Sequence, residues 1–543
     1  MQLHFSTFRL GWHQLAARLK SRVRCPAPLS SPPLLPPLSL ARVVPAVPAT
    51  PVVPPVTLVR PCLSRLAQAA PAELPAFVRN CSVTRRYLDL LGPLDWEHFP
   101  ERDPHHPWPG PQPQPRAPYV AAFLVKLEEQ KRYMSDLRRF LVEHPALVWV
   151  LGFPLMPSDR FEYGFDVEAS LSCPRHFSRV LRTLPPSLLQ FLLDSTVKLL
   201  QADLPPEVVL GEASSLDTKH VIAWVKENNP KAYIKDRYVK GKQPKGDPDC
   251  RLGCKRKHNV GADAAPSADA PPTALHAPHT DGVPATTVKV GEYYWGYASG
   301  VVATKVPGWG EFVLAELTQP FDHSDDSYFF PLMRATERRL GRRPKFGALD
   351  MAYDTFYVYE YFHQAGGFAA VSLSERGHIK RQFDKAGLPL CPAGLAMPLK
   401  NTYLCHTTLI EHERGRYACP RLFPPPRAED PLAAGQACPC ADPHWDKGGC
   451  LVTMPTSIGA RIRYQLDRSS QTFKVVYKQR TATERVNSQA VELGIERPKL
   501  RNGAAIANLN TLIYVLINLR AVHRVRAQRA HMTATVEGHP TRT

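Results

Sequence analysis

Residues 345–373 have the sequence KFGALDMAYDTFYVYEYFHQAGGFAAVSL, and this stretch decides the fold class. The apolar runs at 345–350 and 368–373 are each typical of a short strand. Between them, an aromatic segment at 354–365 begins with Asp354, a candidate N-cap, and ends before two glycines that stop a helix. The stretch therefore predicts a strand, a helix and a second strand in succession.

Strands and helices also alternate outside this stretch. A small helical domain is predicted upstream, with one helix at 119–143 and another that Pro185-Pro186 opens. The predicted elements follow a mixed α/β order: three strands, a helix, a strand, a helix, a strand and then helices. The remaining predicted elements are strands at 208–217, 287–304 and 311–318, a helix at 327–340, an irregular cysteine-rich segment at 380–470 and long helices from 474 to 525.

The charge of the chain points to an acidic partner. The 543 residues have a net charge of +19, well above the magnitude of about 2–8 that keeps a small domain soluble. Nucleic acid is the first candidate because its phosphates form the commonest dense negative surface. A generic basic protein is the alternative. The length exceeds a single core, so we expect two or three units with linkers.

The first part of the chain is rich in proline and poor in acids. Residues 26–75 contain fourteen prolines, and Glu73 is the first acidic residue. A disordered, weakly basic arm or a misassigned translation start explains this composition equally well. No apolar run reaches the roughly 18 residues of a membrane span, and the nearest, 509–522, predicts a buried helix. Twelve cysteines in so long a chain favour reduced thiols or a metal site in the cytoplasm.

Three acidic residues are candidates for chemistry. Asp217 and Asp350 each follow an apolar run, where an acid is often a turn former or a helix cap. Glu484 lies in the segment YKQRTATE (477–484), in which Tyr477, Arg480 and Glu484 are spaced to share one face of a helix. Taken alone, that face is equally well a solvated surface with an ordinary Arg–Glu pair.

The order strand-Asp, strand-Asp, helix-Glu resembles the DDE transposases of bacterial insertion sequences. The closest likeness is to the large branch with a Tyr–Arg–Glu–Lys signature, and it covers roughly 205–525, including Tyr353 and the helix at 508–519. The signature lysine is missing: Val491 stands seven residues after Glu484. Lys499 or Arg485 could supply that contact to DNA instead.

The resemblance implies an RNase H-like catalytic domain with two Mg²⁺ ions. Asp217 would bridge the ions, and Asp350 and Glu484 would each hold one; two ions stabilise the attacking and leaving oxygens of a phosphodiester. Tyr477, Arg480 and Arg485 would bind phosphates. The implied partners are the double-stranded transposon ends and target DNA, bound by a homodimer in a synaptic complex in the bacterial cytoplasm, at the nucleoid. The expected domains are a disordered arm at 1–118, a helical domain at 119–204 for DNA ends, the RNase H-like domain at 205–525 and a basic tail at 526–543.

Two insertions are expected within the catalytic domain. Residues 219–257, within a basic insertion at about 219–285, contain twelve Lys or Arg and four acids, which favours contact with a DNA backbone over a solvated loop. Its candidate contacts are Lys235, Lys240 and Lys245. The cysteine-rich insertion at about 380–470 offers ligands for structural Zn²⁺ or free thiols. The candidate ligands are Cys391, Cys419, Cys438 and Cys450, with Cys405 and Cys440 as further members.

Three functions are compatible with these features. The first is an active transposase that cleaves DNA and transfers strands. The second is a catalytically inactive DNA-binding protein derived from one. The third, a zinc-stabilised scaffold, leaves the spacing of Asp217, Asp350 and Glu484 unexplained.

Overall fold

A mixed sheet of six strands lies at the centre of the protein, in the order β2-β3-β1-β5-β6 with β4 also paired to β3. Strands β1, β5 and β6 are parallel, whereas β3 is antiparallel to β1, β2 and β4. The predicted mixed α/β class is therefore confirmed. The strands are β1 Ala213–Ile222, β2 Arg251–Arg256, β3 Gly291–Val306, β4 Gly310–Pro320, β5 Phe346–Leu349 and β6 Phe368–Val371.

These elements come from a computed structural model of the chain, which describes residues 62–103, 108–109, 113–256, 291–374, 381–406, 409–421, 423 and 449–537. All of them belong to one unit, Leu58–Thr543. The helices before the sheet are α1 Leu63–Gln68, α2 Ala76–Arg79, α3 Ser82–Leu91, α4 Ala117–Glu128, α5 Met134–Val142, α6 Pro145–Val150, α7 Val167–Ser170, α8 Pro174–Thr183 and α9 Pro186–Asp203. Those within and after it are α10 Phe329–Leu340, α11 Phe356–Gln364, α12 Ile458–Gln465, α13 Gln471–Tyr477, α14 Thr481–Glu492 and α15 Gly503–Glu537.

The long helix α15 connects the sheet with the helices that precede it. Asn518 donates to the backbone oxygen of Val313 on β4 and to the hydroxyl of Thr196 on α9. Asn508 donates to backbone oxygens at the end of α8. Within Gly503–Thr533 the helix is long and apolar enough to cross a membrane, but 89% of its apolar 18-residue stretch is buried inside the fold. The buried helix predicted at 509–522 is confirmed, as a core helix.

The N-terminal helices correct two expectations. Residues 62–103, expected in a disordered arm, form α1 to α3, and Tyr87 and Leu91 are fully buried there. Proline-rich flanks concealed this short amphipathic stretch. The single helix expected at 119–143 is two helices, α4 and α5, since Gln130 between them adopts a positive φ of 51°.

The cysteine-rich segment, expected to be irregular, contains a three-stranded sheet. Its antiparallel strands are β7 Leu399–Cys405, β8 His412–Ala418 and β9 Leu451–Pro455. They pack on a small apolar cluster that includes Met397, Tyr417 and Met454. Many of the strand residues are exposed and polar, so their alternation is weak and the sequence pattern does not show them.

Asp354 does not cap α11, as its position suggested. The helix begins at Phe356, and its N-cap residue, Thr355, makes no capping side-chain bond. The buried carboxylate of Asp354 instead accepts two hydrogen bonds from the guanidinium of Arg463 on α12, 2.8 and 2.6 Å long. This pairing lowers the pKa of Asp354 against the opposing effect of burial.

Candidate active site

Asp217 and Asp350 lie side by side at one edge of the parallel part of the sheet. Leu216 of β1 pairs with Leu349 of β5 in parallel register, so the two aspartates are the next residues along adjacent strands. Adjacent strands are about 4.8 Å apart. β5 ends at Leu349, but β1 continues to Ile222, so Asp217 lies within its strand and not at its end as predicted. The continuing pairs with β3 extend β1.

The Asp217 carboxylate is partly buried and has few partners. It accepts a hydrogen bond from its neighbour Thr218 N, at 2.9 Å, and one from Asn487 Nδ2 on α14, at 3.2 Å. Burial raises its pKa to about 6, and the nearby carboxylate of Asp350 adds to the effect while Arg480 opposes it. This site therefore holds an acid whose charge is poorly compensated by the protein alone.

Glu484 lies on the same helix face as Asn487, one turn earlier on α14. Its carboxylate is about half exposed and accepts a hydrogen bond from Arg480 Nη2 at 2.7 Å. Because Asn487 contacts Asp217 directly, Glu484 lies one helical turn from a residue of the aspartate edge. Arg480, which is paired with Glu484, also lies close enough to Asp217 to lower its pKa.

The predicted single helix through Tyr477, Arg480 and Glu484 is divided by a 3-10 turn at Lys478–Arg480. The apolar side of α13 packs on β5 and β6 through Phe473 and Val476, whereas α14 packs on a different core cluster through Val486. The three side chains remain neighbours. Arg480 lies 5.9 Å from the ring centre of Tyr477, whose hydroxyl accepts from Ser372 just after β6.

Arg485, the third predicted phosphate contact, forms a salt bridge with Glu311 at the start of β4, with an N–O distance of 2.5 Å. Val491, in the place of the signature lysine, is exposed on α14. Lys499, the other candidate for that contact, lies elsewhere, over the ring of Trp224.

Two further residues face the aspartates: Asp325, which sequence reasoning did not select, and Tyr353, which entered only through the resemblance. Asp325, in the turn before α10, accepts from Thr218 Oγ1 at 2.8 Å. Burial raises the pKa of Asp325, and the charge of Asp350 adds to the effect. The hydroxyl of Tyr353 is buried without a hydrogen-bond partner among the described residues. Burial raises the pKa of Tyr353 well above its ordinary value, and the charges of Asp325, Asp217 and Asp350 raise it further. An acid pair at 325–326 before an amphipathic helix was the signal available for Asp325.

The donor chemistry of this edge suits Mg²⁺, but the side chains do not converge as they stand. All the atoms that could bind a metal here are hard oxygens. Two of them, Asn487 Oδ1 and the Tyr353 hydroxyl, are buried polar atoms without hydrogen-bond partners in the described part of the chain. Nevertheless, among the described residues no three His, Cys, Asp or Glu side chains form a group that could hold a metal ion. Glu484 is turned to Arg480 and would have to leave it to become a ligand.

The described part of the basic insertion, residues 219–256, is folded against the sheet and displays its lysines, and the rest of it lies outside the described residues. Residue Trp295 of β3 donates from its indole to Arg237 O, and the Asp249 carboxylate accepts from the backbone N of Gly503 at the start of α15. The three predicted contacts, hereafter the insertion lysines, are Lys235, Lys240 and Lys245; all are exposed, and none forms a salt bridge within the described residues. Lys219, by contrast, belongs to β1 and pairs with Glu496.

A basic aromatic groove begins beside this insertion. Lys499 and Arg501 lie 5.4 and 4.9 Å from the ring of Trp224, which is 41% exposed. Lys226 and Arg497 line the same cavity of about 390 Å³. An exposed ring surrounded by cations suits a nucleic-acid strand, since the bases stack while the phosphates are neutralised.

The predicted zinc ligands are partly brought together. Cys419 and Cys450 lie directly beyond the last pair of β8 and β9, Ala418 with Leu451, and are therefore opposite each other. Cys391, a buried thiol, contacts the same apolar cluster as Cys450, and Cys405 is the last residue of β7. Cys438 and Cys440 lie outside the described residues. No metal-binding group of three occurs in the described part of the chain.

No family model matches this chain, and no curated protein or solved structure matches it either.

Proposed function

We propose that this protein is a DDE-type DNA transposase whose acids are Asp217, Asp350 and Glu484. One observation carries the proposal: the pairing of Leu216 with Leu349 makes Asp217 and Asp350 the next residues along two adjacent parallel strands. In addition, the helix of Glu484 contacts Asp217 through Asn487. Turn formers or caps would not need this adjacency, although Asp350 also caps a short turn by accepting from Ala352 N.

The sheet supports the RNase H-like fold that the resemblance implies. In the order β4-β3-β1-β5-β6, the strands β4, β3 and β1 pair antiparallel, and β5 and β6 continue from β1 as parallel strands. The helix that carries the third acid, α14, packs on the antiparallel part. The proposed acids thus come from a central strand, its parallel neighbour and a facing helix.

The residues of the chain would hold and orient DNA at this edge. Two Mg²⁺ ions, when bound by Asp217, Asp350 and Glu484, would supply charge stabilisation for the attacking and leaving oxygens of a phosphodiester. If Glu484 were to hold a metal ion, Arg480 would lose this partner and could pair with a phosphate. Tyr477 lies beside Arg480 and can donate its hydroxyl to the same phosphate. The insertion lysines and the Trp224 groove would hold the duplex farther from the site.

An inactive DNA-binding protein derived from a transposase is the second candidate. The Arg480–Glu484 pair and the absence of a converged group of three acids among the described residues favour it. Both candidates share double-stranded DNA as the partner. The active enzyme would also act as a homodimer that joins two ends at the bacterial nucleoid.

Cleavage of a duplex that carries the flanking ends of its own gene distinguishes the two candidates. With Mg²⁺, the parent protein should cut this DNA, and Asp350→Ala or Glu484→Ala should abolish cutting while gel-shift affinity in Ca²⁺ stays equal or rises. Glu492→Ala, on an exposed position of the same helix, is the matched control and should cut normally. A parent protein that binds the ends and never cuts them would support the inactive candidate. Acid variants that cut as fast as the parent would refute the active site.

A further inference from the structure

A second basic pocket lies among the N-terminal helices, apart from the acids. It is a cavity of about 620 Å³, and its polar lining includes Arg102, Arg116, His176 and Arg179, with Trp108 also in its wall. Arg116 immediately precedes α4, and Arg179 and His176 belong to α8. No residue of this pocket belongs to the candidate active site or to the Trp224 groove.

The arginines of this pocket have no salt-bridge partner in the described part of the chain, which holds for Arg102, Arg116 and Arg179 alike. Glu101 accepts from the backbone N of Arg116 at 2.8 Å, so it caps the start of α4 and does not bind a guanidinium. Burial lowers the pKa of Arg116 and the charge of Arg102 lowers it further, while the charge of Glu101 opposes both effects. Three guanidinium groups that line one cavity without a salt bridge are free to donate charge-assisted hydrogen bonds to a phosphate.

The remaining groups suit a base more than a second anion. His176 has a lowered pKa, through burial and then the charges of Arg179 and Arg102, so it is neutral at pH 7. Its Nδ1 accepts from Arg179 Nη2 at 2.8 Å, which fixes that guanidinium and leaves the other ring nitrogen as a donor. The indole of Trp108 is 45% exposed, and Arg102 lies 5.3 Å from its ring centre. An aromatic ring beside several arginines provides a stacking surface and a phosphate clamp together.

We propose that this pocket binds an unpaired nucleotide of a DNA strand, with its phosphate on Arg102, Arg116 and Arg179 and its base against Trp108. The volume lies within the range of about 300–1,000 Å³ of sites that enclose small ligands, and one nucleotide fits it. A paired base cannot reach an indole in the wall of a cavity, so the pocket selects a single-stranded extension or a frayed end. The proposal does not depend on catalysis and stands whether or not the acids cleave DNA.

Binding of two labelled DNAs to the full chain tests this inference in EDTA, where the candidate active site cannot bind a metal. One DNA is a blunt duplex, and the other is the same duplex with a short single-stranded extension. The parent protein should bind the extended duplex about tenfold more tightly, the effect of one stacked base. Trp108→Ala should remove this preference and leave the blunt duplex unchanged. Arg179→Ala should weaken the extended duplex about tenfold and make its log–log salt slope shallower by about one.

Arg182→Ala is the matched control, because Arg182 is exposed on the same helix and does not line the pocket. It should change affinity for either DNA less than twofold. Circular dichroism of all variants checks that they fold, which is expected because Trp108 and Arg179 are exposed. Equal affinity of the parent for both DNAs, or equal losses on both for the two variants, would overturn the nucleotide pocket. Displacement of the extended duplex by a free mononucleotide as effectively as by an oligonucleotide would assign the pocket to a small phosphate compound and overturn the DNA assignment.

Discussion

The protein should become more stable when the charge of Asp217 is removed. Asp217 has a pKa of about 6 in the folded state, against an ordinary value of 3.8. The raised pKa means that the folded state binds the proton more tightly than the unfolded state, so stability falls as pH rises from about 4 through 6. The difference corresponds to about 3 kcal/mol above pH 7, at 1.36 kcal/mol for each pH unit.

Asp217→Asn retains the shape of the side chain and removes this cost. One of the two hydrogen bonds to the carboxylate, from Thr218 N or Asn487 Nδ2, is lost, at about 1 kcal/mol. The net gain at pH 7.5 is therefore about 2 kcal/mol, and it should vanish below pH 4, where both side chains are neutral. Thermal unfolding in EDTA across pH 4–8 measures it, as a higher Tm for the variant at neutral pH.

A matched control for this series is Asp89→Asn, because Asp89 is exposed on α3. It should leave the pH dependence unchanged. Mg²⁺ added at pH 7.5 should raise the Tm of the parent and raise that of Asp217→Asn much less, since a bound cation compensates the buried charge. A variant no more stable than the parent at pH 7.5, with a constant difference across the range, would refute the account of Asp217 as a poorly compensated buried acid.

Further predictions concern the basic insertion, the cysteines and a buried ion pair. Replacing all three insertion lysines with alanine should weaken the binding of duplex DNA, while cleavage at saturating protein persists. The log–log salt slope should fall by about one for each phosphate that a lysine no longer neutralises. An unchanged slope in gel shifts would mean that the insertion lysines do not bind DNA. If the cysteine-rich segment holds structural Zn²⁺, elemental analysis should find about one zinc per purified chain, and Cys419→Ser should remove it. A metal-free protein would leave the thiols without a metal role. Arg463→Ala should destabilise the protein by about 3–5 kcal/mol because the Asp354 carboxylate, 1% exposed, loses its charged partner, and denaturant titration that finds less than about 1 kcal/mol would contradict this. Since pairing lowers the pKa of Asp354, its contribution is present above pH 4 and is lost as pH falls below that value.

The candidate site could be predicted in part because some of its signals are local. Apolar runs before Asp217 and Asp350 mark strand residues, and the spacing of Arg480 and Glu484 marks one turn of a helix. The observed Arg480–Glu484 salt bridge follows directly from that spacing. Asn487 carries no comparable local signal. The acid pair that marks Asp325 and the resemblance that includes Tyr353 do not place these residues at the aspartate edge, because that depends on how distant segments pack.

Local periodicity by itself determined the mixed α/β class, five of the six strands of the central sheet (all except β2) and the buried helix within α15, since these depend on the alternation of apolar residues along a few turns or strand positions. Only the tertiary structure decided which strands pair and in which register. The pairing of Leu216 with Leu349 joins residues more than a hundred positions apart, and a shift of one residue would turn Asp217 to the other face of the sheet. The partial burial of its carboxylate, the 3-10 turn between α13 and α14, and the basic pocket around Trp108 likewise arise from packing between distant segments. No pattern within one segment records such packing, because its energy comes from surfaces that meet only in the folded chain.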